Sequence, residues 1–173
     1  MLYLRRLATR ALLGLATACA PVAIVAGAVA ANPAPAAAAV QAPRAGAHWT
    51  SCNDQAVQSA PKVLWTRIAE ATSSHSNLPW SFWSNPNYRR DIVKIVCYES
   101  TYNWHADGGG QYGWYQMSRS LIASEGFSFS EYWSGLGPHP AGWFQCTAGE
   151  LYILNRYGNP AAAWAHERTY GWY

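Results

Sequence analysis

The chain has 173 residues, with twelve Lys and Arg residues against nine Asp and Glu residues, which gives a formal charge of +3 at pH 7. Three of the twelve basic residues, Arg5, Arg6 and Arg10, lie near the N-terminus, whereas all nine acidic residues lie beyond residue 31. Without that N-terminal segment the two signs are equal in number, so no basic surface remains to attract phosphates, and we exclude nucleic acid as a partner.

The N-terminal part of the chain predicts export. The three arginines precede an uncharged apolar run from Ala11 to Ala31 with small residues near its end, which is typical of an export signal over residues 1–31. The run is also long enough to span a bilayer, so an uncleaved membrane anchor is the alternative. Residues 32–48 are rich in Ala and Pro and predict an extended tether. The folded part is then one domain over residues 49–173, secreted or held at the cell surface.

Apolar spacing beyond the tether predicts a mainly α domain with a small β hairpin. The predicted helices cover Ser59 to about Ser73, Pro86 to about Ser100, Ser118 to about Ser124, Thr147 to Tyr157, and Pro160 to about His166. Asn85 before Pro86 is a cap followed by proline at the first helical position, a good start signal. Residues 101–115 contain three consecutive glycines and alternating aromatics, which favours a loop and a short hairpin. Residues 127–142 are predicted to be irregular.

A carboxylate interrupts the apolar stripe of the second predicted helix. Ile92, Ile95 and Val96 recur at helical spacing, and the next position on the same face is Glu99. Burial disfavours the charged form, so we expect such a carboxyl to stay protonated at higher pH than a surface one. A protonated carboxyl near neutral pH can donate a proton to a leaving group. A glutamate at a helix end that hydrogen-bonds the next loop would explain the same position.

Three cysteines lie beyond the predicted export signal: Cys52, Cys97 and Cys146. An oxidising exterior favours one disulfide and leaves one thiol. The pairing of Cys97 with Cys146 is favoured because it would lock the helix of Glu99 to a later helix, although Cys52 with either stays open. The five histidines show no metal-ligand spacing with the cysteines, so we expect no metal site.

The order of three motifs resembles a known family. The motifs are Glu99-Ser100, the turn Gly110-Gln-Tyr-Gly113-Trp-Tyr-Gln116, and the helix Ala148-Gly-Glu-Leu-Tyr152-Ile-Leu-Asn-Arg-Tyr157-Gly158. This order is similar to the lysozyme-like lytic transglycosylase domain, in which Glu-Ser precedes a Gly-x-Gly-Leu-Met-Gln turn and a helix with Gly and Tyr-Leu. Residues 161–173 also resemble actinobacterial secreted and phage tail-associated members. Trp114-Tyr115 replaces the usual Leu-Met, and Ala163-Trp164-Ala165 stands where the family has Ala-Tyr-Asn.

The resemblance implies an α+β lysozyme-like fold and a monomeric peptidoglycan lytic transglycosylase that needs no cofactor and no metal. Such an enzyme cleaves the β-1,4 bond between N-acetylmuramic acid and N-acetylglucosamine, with Glu99 as general acid and then base. The resemblance implies that Ser100 and Gln116 bind substrate, and that Trp164 replaces, through its indole N–H, the family tyrosine that orients the acid. Tyr112 and Trp114 alternate around Gly113, so we expect one of them to stack on a sugar ring while the other packs inward. Asp107, flanked by glycine in a loop, is interpreted as a turn former outside the site.

Three other functions remain as alternatives. Hydrolytic lysozyme differs only in whether water or the sugar's own 6-hydroxyl attacks. A non-catalytic glycan-binding module would keep the aromatic residues and the turn but would not need Glu99. A cysteine peptidase built on Cys97 and His166 is disfavoured, because reactive cysteines gain from a helix N-terminus and Cys97 lies near the opposite end of its helix.

Overall fold

The structure is a computed structural model that describes residues 51–173. Within that range the chain forms eight helices and one two-stranded antiparallel sheet. They are α1 Asp54–Gln58, α2 Lys62–Ser74, α3 Ser81–Ser84, α4 Pro86–Ser100, β1 Gln111–Tyr112, β2 Met117–Ser118, α5 Arg119–Ser124, α6 Phe129–Ser134, α7 Ala141–Tyr157 and α8 Pro160–Tyr170. The predicted mainly α fold with a small β hairpin is confirmed. The predicted export signal, residues 1–31, and tether, residues 32–48, lie outside the described residues.

Helix α7 is the centre of the fold. Every residue from Ala141 to Ile153 is buried, and α2, α6 and α8 all pack against it. Apart from Gln145, Thr147 and Glu150, these residues are apolar or small and lie on every side of the helix, which favours a position inside the protein. The helix begins six residues before the predicted start at Thr147, because the glycines and prolines before it occupy only the loop up to Pro140.

Helix α4 carries Glu99 and matches its prediction. The Asn85 side chain accepts a hydrogen bond from the Asn87 N–H at 2.9 Å, and Pro86 occupies the first helical position. The apolar stripe is fully buried, and α8 packs along the helix. The helix ends because Thr101 adopts a left-handed conformation with φ 52°.

The hairpin positions a tight turn between its two strands. Gln111 pairs with Ser118 and Tyr112 with Met117, so residues 113–116 form the connection. Within this connection Gly113 has φ +73° and Gln116 has φ 46°. Glycine is required at the first position for a second reason, because a Cβ there would lie 2.6 Å from Gln145 Oε1.

Three helices are present that the periodicity did not predict: α1, α3 and α6. The prediction of an irregular segment over residues 127–142 was wrong for α6. That helix begins with a capping box, in which Ser128 and Glu131 each bond the other's backbone N–H. Its six residues are too few for helical periodicity to stand out, so the capping box was the only available sequence signal.

The disulfide joins Cys52 to Cys97, and the favoured pairing of Cys97 with Cys146 was wrong. The two Cα atoms of the bond are 5.7 Å apart, which ties the segment before α1 to α4. Cys146 is a free, fully buried thiol in the second turn of α7. A disulfide is compatible with an extracellular location. Across residues 51–173 no helix has the length and apolar character to cross a bilayer.

Candidate functional site

Glu99 lies in the last turn of α4 and is half-buried. The neighbouring Ser100, predicted to bind substrate, donates its hydroxyl proton to the Val96 carbonyl at 3.0 Å. This bond within the helix fits a helix-end hydroxyl, and it leaves the oxygen of Ser100 with only acceptor capacity for a ligand.

Two buried tyrosines link Glu99 to the hairpin turn. The Tyr132 hydroxyl donates to the Tyr112 carbonyl at 2.9 Å, and the Tyr173 hydroxyl donates to the Tyr115 carbonyl at 2.9 Å. Burial raises the pKa of both phenols well above its ordinary value, and the negative charge of Glu99 adds to both shifts. Glu99 is therefore close to two hydroxyls that hold the backbone of the turn. Sequence reasoning missed both tyrosines.

Gln116 is brought to the turn as expected, but its amide is committed to the protein. Its Nε2 donates to the Gly113 carbonyl at 3.0 Å and to the Ala106 carbonyl at 3.3 Å. The residue is only 7% exposed. Its side chain therefore holds the loop and the turn together, and both amide protons are engaged in that role.

Trp114 is almost fully buried, and only a small part of its surface reaches the cavity described below. Its indole N–H donates to the Tyr102 carbonyl at 3.0 Å, and only 2% of the residue is exposed. Tyr112, the other aromatic residue beside Gly113, is half-buried, and its ring centre lies 4.7 Å from that of Phe129. Of the two aromatic residues that flank Gly113, Tyr112 is therefore the more accessible to a sugar.

Gln145 is the residue that fixes the turn to the central helix, and sequence reasoning missed it. Its Oε1 accepts from the Trp114 backbone N–H at 2.9 Å, while its Nε2 donates to the Trp104 carbonyl at 3.0 Å and the Tyr132 carbonyl at 3.4 Å. The side chain is fully buried. A polar residue inside the apolar stretch from Trp143 to Ala148 was a signal in the sequence, since buried polar groups are retained where they are hydrogen-bonded.

A cavity of about 520 Å³ opens beside the turn. It is lined by Val63, Arg67, Trp104, His105, Trp114, Trp133, Ser134, Pro140, Ala141 and Gly142, so Glu99 is not part of its wall. The His105 ring lies 3.6 Å from the Trp104 ring and 5.2 Å from the Trp133 ring. Because 41% of Trp104 is exposed, this aromatic cluster faces solvent. Its size and apolar lining are typical of a small-molecule site.

The remaining candidates lie on two other elements. Trp164 is buried in α8, the helix that packs against α4, and the Arg168 guanidinium lies 5.9 Å from its ring centre. Asp107 is exposed and accepts hydrogen bonds from the N–H groups of Gly109 at 3.1 Å and Gly110 at 3.5 Å. It is a turn former, as the sequence predicted. Among residues 51–173 no cluster of three or more His, Cys, Asp and Glu side chains is arranged to hold a metal ion.

The site therefore offers one half-buried carboxyl beside a turn whose backbone is fixed by Tyr132, Tyr173, Gln116 and Gln145. A carboxyl on such a fixed support can transfer a proton to a bound substrate. Comparison of the chain with models of protein families, with curated proteins and with solved structures gave no match in any of the three.

Proposed function

We propose that the chain is a peptidoglycan lytic transglycosylase that cleaves the β-1,4 bond between N-acetylmuramic acid and N-acetylglucosamine. One observation carries the proposal: Glu99 is half-buried beside Tyr132 and Tyr173, whose hydroxyls hold the turn that leads to Gln116. The chain also has its motifs in the same order as the lytic transglycosylase family that it resembles. Glu99-Ser100 comes first, then the glycine turn that ends at Gln116, and then the helix that contains Gly149. The Cys52–Cys97 disulfide supports action outside the cell.

Glu99 acts first as an acid in this proposal. Its carboxyl donates a proton to the glycosidic oxygen as the bond to the muramic acid C1 breaks. The last turn of a helix carries partial negative charge, which disfavours an ionised carboxylate there and favours the neutral acid. Partial burial against two tyrosines acts in the same direction, because a low-dielectric environment penalises the charge.

Glu99 then acts as a base. The carboxylate takes the proton of the muramic acid 6-hydroxyl, whose oxygen attacks C1 and closes a 1,6-anhydro ring. The substrate's N-acetyl group stabilises the positive centre between the two steps, so one protein carboxyl is sufficient. The need for only one carboxyl is consistent with the position of Asp107, which is exposed and stabilises a turn.

Hydrolysis and simple binding are the competing functions. A hydrolytic lysozyme would use the same acid and a water nucleophile. A non-catalytic glycan-binding module is favoured by a different observation, namely the solvent-facing aromatic cluster of Trp104, His105 and Trp133, whose cavity does not include Glu99. Aromatic rings offer broad apolar faces to a sugar ring, and such binding requires no acid.

Release of soluble fragments from purified peptidoglycan distinguishes glycan cleavage by either enzyme from simple binding. We expect the wild type to release them and Glu99→Gln to lose release almost completely while it still binds the insoluble wall. Glu125→Gln is the matched control: Glu125 is also half-buried, and its oxygen accepts from Asn155 Nδ2 at 2.8 Å, a bond that the Gln carbonyl can keep. Full release by Glu99→Gln would overturn the proposal. Binding by both forms with release by neither would favour the glycan-binding module.

A further inference from the structure

A second glutamate, Glu150, lies inside the protein and takes no part in the chemistry described above. It is in the middle of α7 with no exposed surface. Its two carboxyl oxygens accept no hydrogen bond from any group in residues 51–173. Buried polar groups are nearly always paired, so a carboxyl left unpaired in a packed helix requires an explanation.

The surroundings of Glu150 contain no compensating charge close enough to offset its burial. Burial alone raises the pKa of this carboxyl well above its ordinary value. The titratable groups that interact with Glu150 are Cys146 on α7 and Tyr115 on the turn. The next groups out are Arg67 and Glu70 on α2 and Tyr132 on α6, which interact with Cys146, and Tyr173, which interacts with Tyr115. Arg67 is engaged by Glu70 in an ion pair, and Cys146 and Tyr115 are buried neutral groups. An ionised carboxyl here would have to be hydrated by water that the packing excludes.

This packing joins Glu150 to the turn beside Glu99. The Tyr115 ring lies directly on the surface of α7 at Gly149, where an added Cβ would be 2.3 Å from Tyr115 Cδ1. Tyr115 immediately precedes Gln116, and its carbonyl accepts the Tyr173 hydroxyl. Besides burial, a negative charge on Glu150 raises the pKa of the Tyr115 phenol, so this carboxyl lies near the ring that packs on α7. Water that enters to hydrate an ionised Glu150 would therefore loosen the contact between α7 and the turn.

We propose that Glu150 is an alkali-sensitive switch: protonated, it allows the turn over residues 113–116 to pack on α7, and its deprotonation opens that packing. The sign follows from linkage. The unfolded chain releases the proton at a lower pH than the folded chain, so rising pH favours unfolding between the two values. The folding part of this inference is independent of the proposed enzyme activity. Its consequence for activity rests on that proposed function.

Thermal and urea unfolding of the full chain between pH 5 and pH 8 tests the switch. For the wild type we expect the unfolding constant to rise relative to Glu150→Gln as the pH increases, by up to about tenfold per pH unit, which is the limiting slope for one proton. Glu150→Met should also remove this slope, and it should be more stable than the wild type at pH 8, because folding of the wild type must then take up a proton that the unfolded chain has released. Glu131→Gln is the control. Hydrogen bonds from Ser128 lower the pKa of the Glu131 carboxyl, so Glu131 stays ionised from pH 5 to pH 8. The effect of Glu131→Gln on the free energy of unfolding should therefore be constant over this range.

Parallel pH profiles for the wild type and Glu150→Gln would overturn the inference. If neither variant folds, the infrared spectrum of the wild type at pH 7 decides the matter. A protonated carboxyl band is expected in the folded protein and should vanish on unfolding, and its absence from the folded protein would overturn the inference. Because both measurements report folding and not glycan cleavage, a negative result here leaves the proposed function standing.

Discussion

Replacing Gly149 by Ala tests how tightly the turn beside Glu99 is packed on α7. A Cβ at this position would lie 2.3 Å from Tyr115 Cδ1 and 2.4 Å from Cγ. Carbon atoms in contact are about 3.5–4.0 Å apart, so the ring would have to retreat by about 1 Å. Overpacking a dense core costs about 1–3 kcal/mol, and an overlap of this size with a buried ring belongs to the upper part of that range, about 2–3 kcal/mol. This cost exceeds the gain of about 1 kcal/mol that Ala has over Gly inside a helix. We therefore expect the free energy of unfolding to fall by about 1–2 kcal/mol.

Urea denaturation followed by circular dichroism measures this change. Gly142→Ala is the matched control on the same helix, since its Cβ would come no closer than 3.0 Å to the Trp114 ring. The cost of this smaller overlap should be nearly offset by the higher helix propensity of Ala, so the free energy of unfolding should change little. Release of peptidoglycan fragments should fall for Gly149→Ala, because the displaced ring belongs to the turn. A Gly149→Ala protein that is as stable and as active as the wild type would refute this account of the packing.

Three further perturbations test the framework around the site. Cys52→Ser opens the disulfide to Cys97, which closes a separation of 45 residues, and should cost up to about 4 kcal/mol of unfolding free energy in urea titrations. Gln145→Leu leaves the buried Trp114 N–H without its acceptor and should cost about 1–3 kcal/mol by the same measurement. Hydrogen bonds from the N-cap serine of α6 lower the pKa of Glu131, so the stability that they provide is lost as pH falls. The wild type should therefore exceed Glu131→Gln in stability at pH 6, and this difference should close below about pH 4. An unchanged difference at low pH would contradict this capping role.

The parts of the fold with strong local signals could be predicted from the sequence. Helix α4 has an Asn-Pro start and a clear apolar stripe, so its bounds and its buried face were both correct. Helix α6 has one short capping box as its only signal, and the first six residues of α7 follow a glycine- and proline-rich loop that concealed them. Local sequence patterns predict these two segments poorly, because contacts between α6 and α7 stabilise them.

In the candidate site too, residues with a local sequence signal could be predicted, and residues brought in by tertiary contacts could not. Glu99 could be found because a carboxyl interrupts an apolar stripe, and the half-buried position agrees with that reasoning. Tyr132 and Tyr173 reach the site from distant parts of the chain, so only tertiary structure brings them there. The disulfide was predicted wrongly for the same reason: α1 was not foreseen, and it is α1 that brings Cys52 to α4.

The central claim is that Glu99 drives attack by the sugar's own hydroxyl, and digestion of purified peptidoglycan in heavy-oxygen water tests it most directly. Mass spectrometry of the fragments should find 1,6-anhydro ends that carry no heavy oxygen with the wild type and with Glu125→Gln, and no such fragments with Glu99→Gln. Reducing ends labelled with heavy oxygen would instead identify a hydrolase. Anhydro fragments released equally by Glu99→Gln would contradict the account.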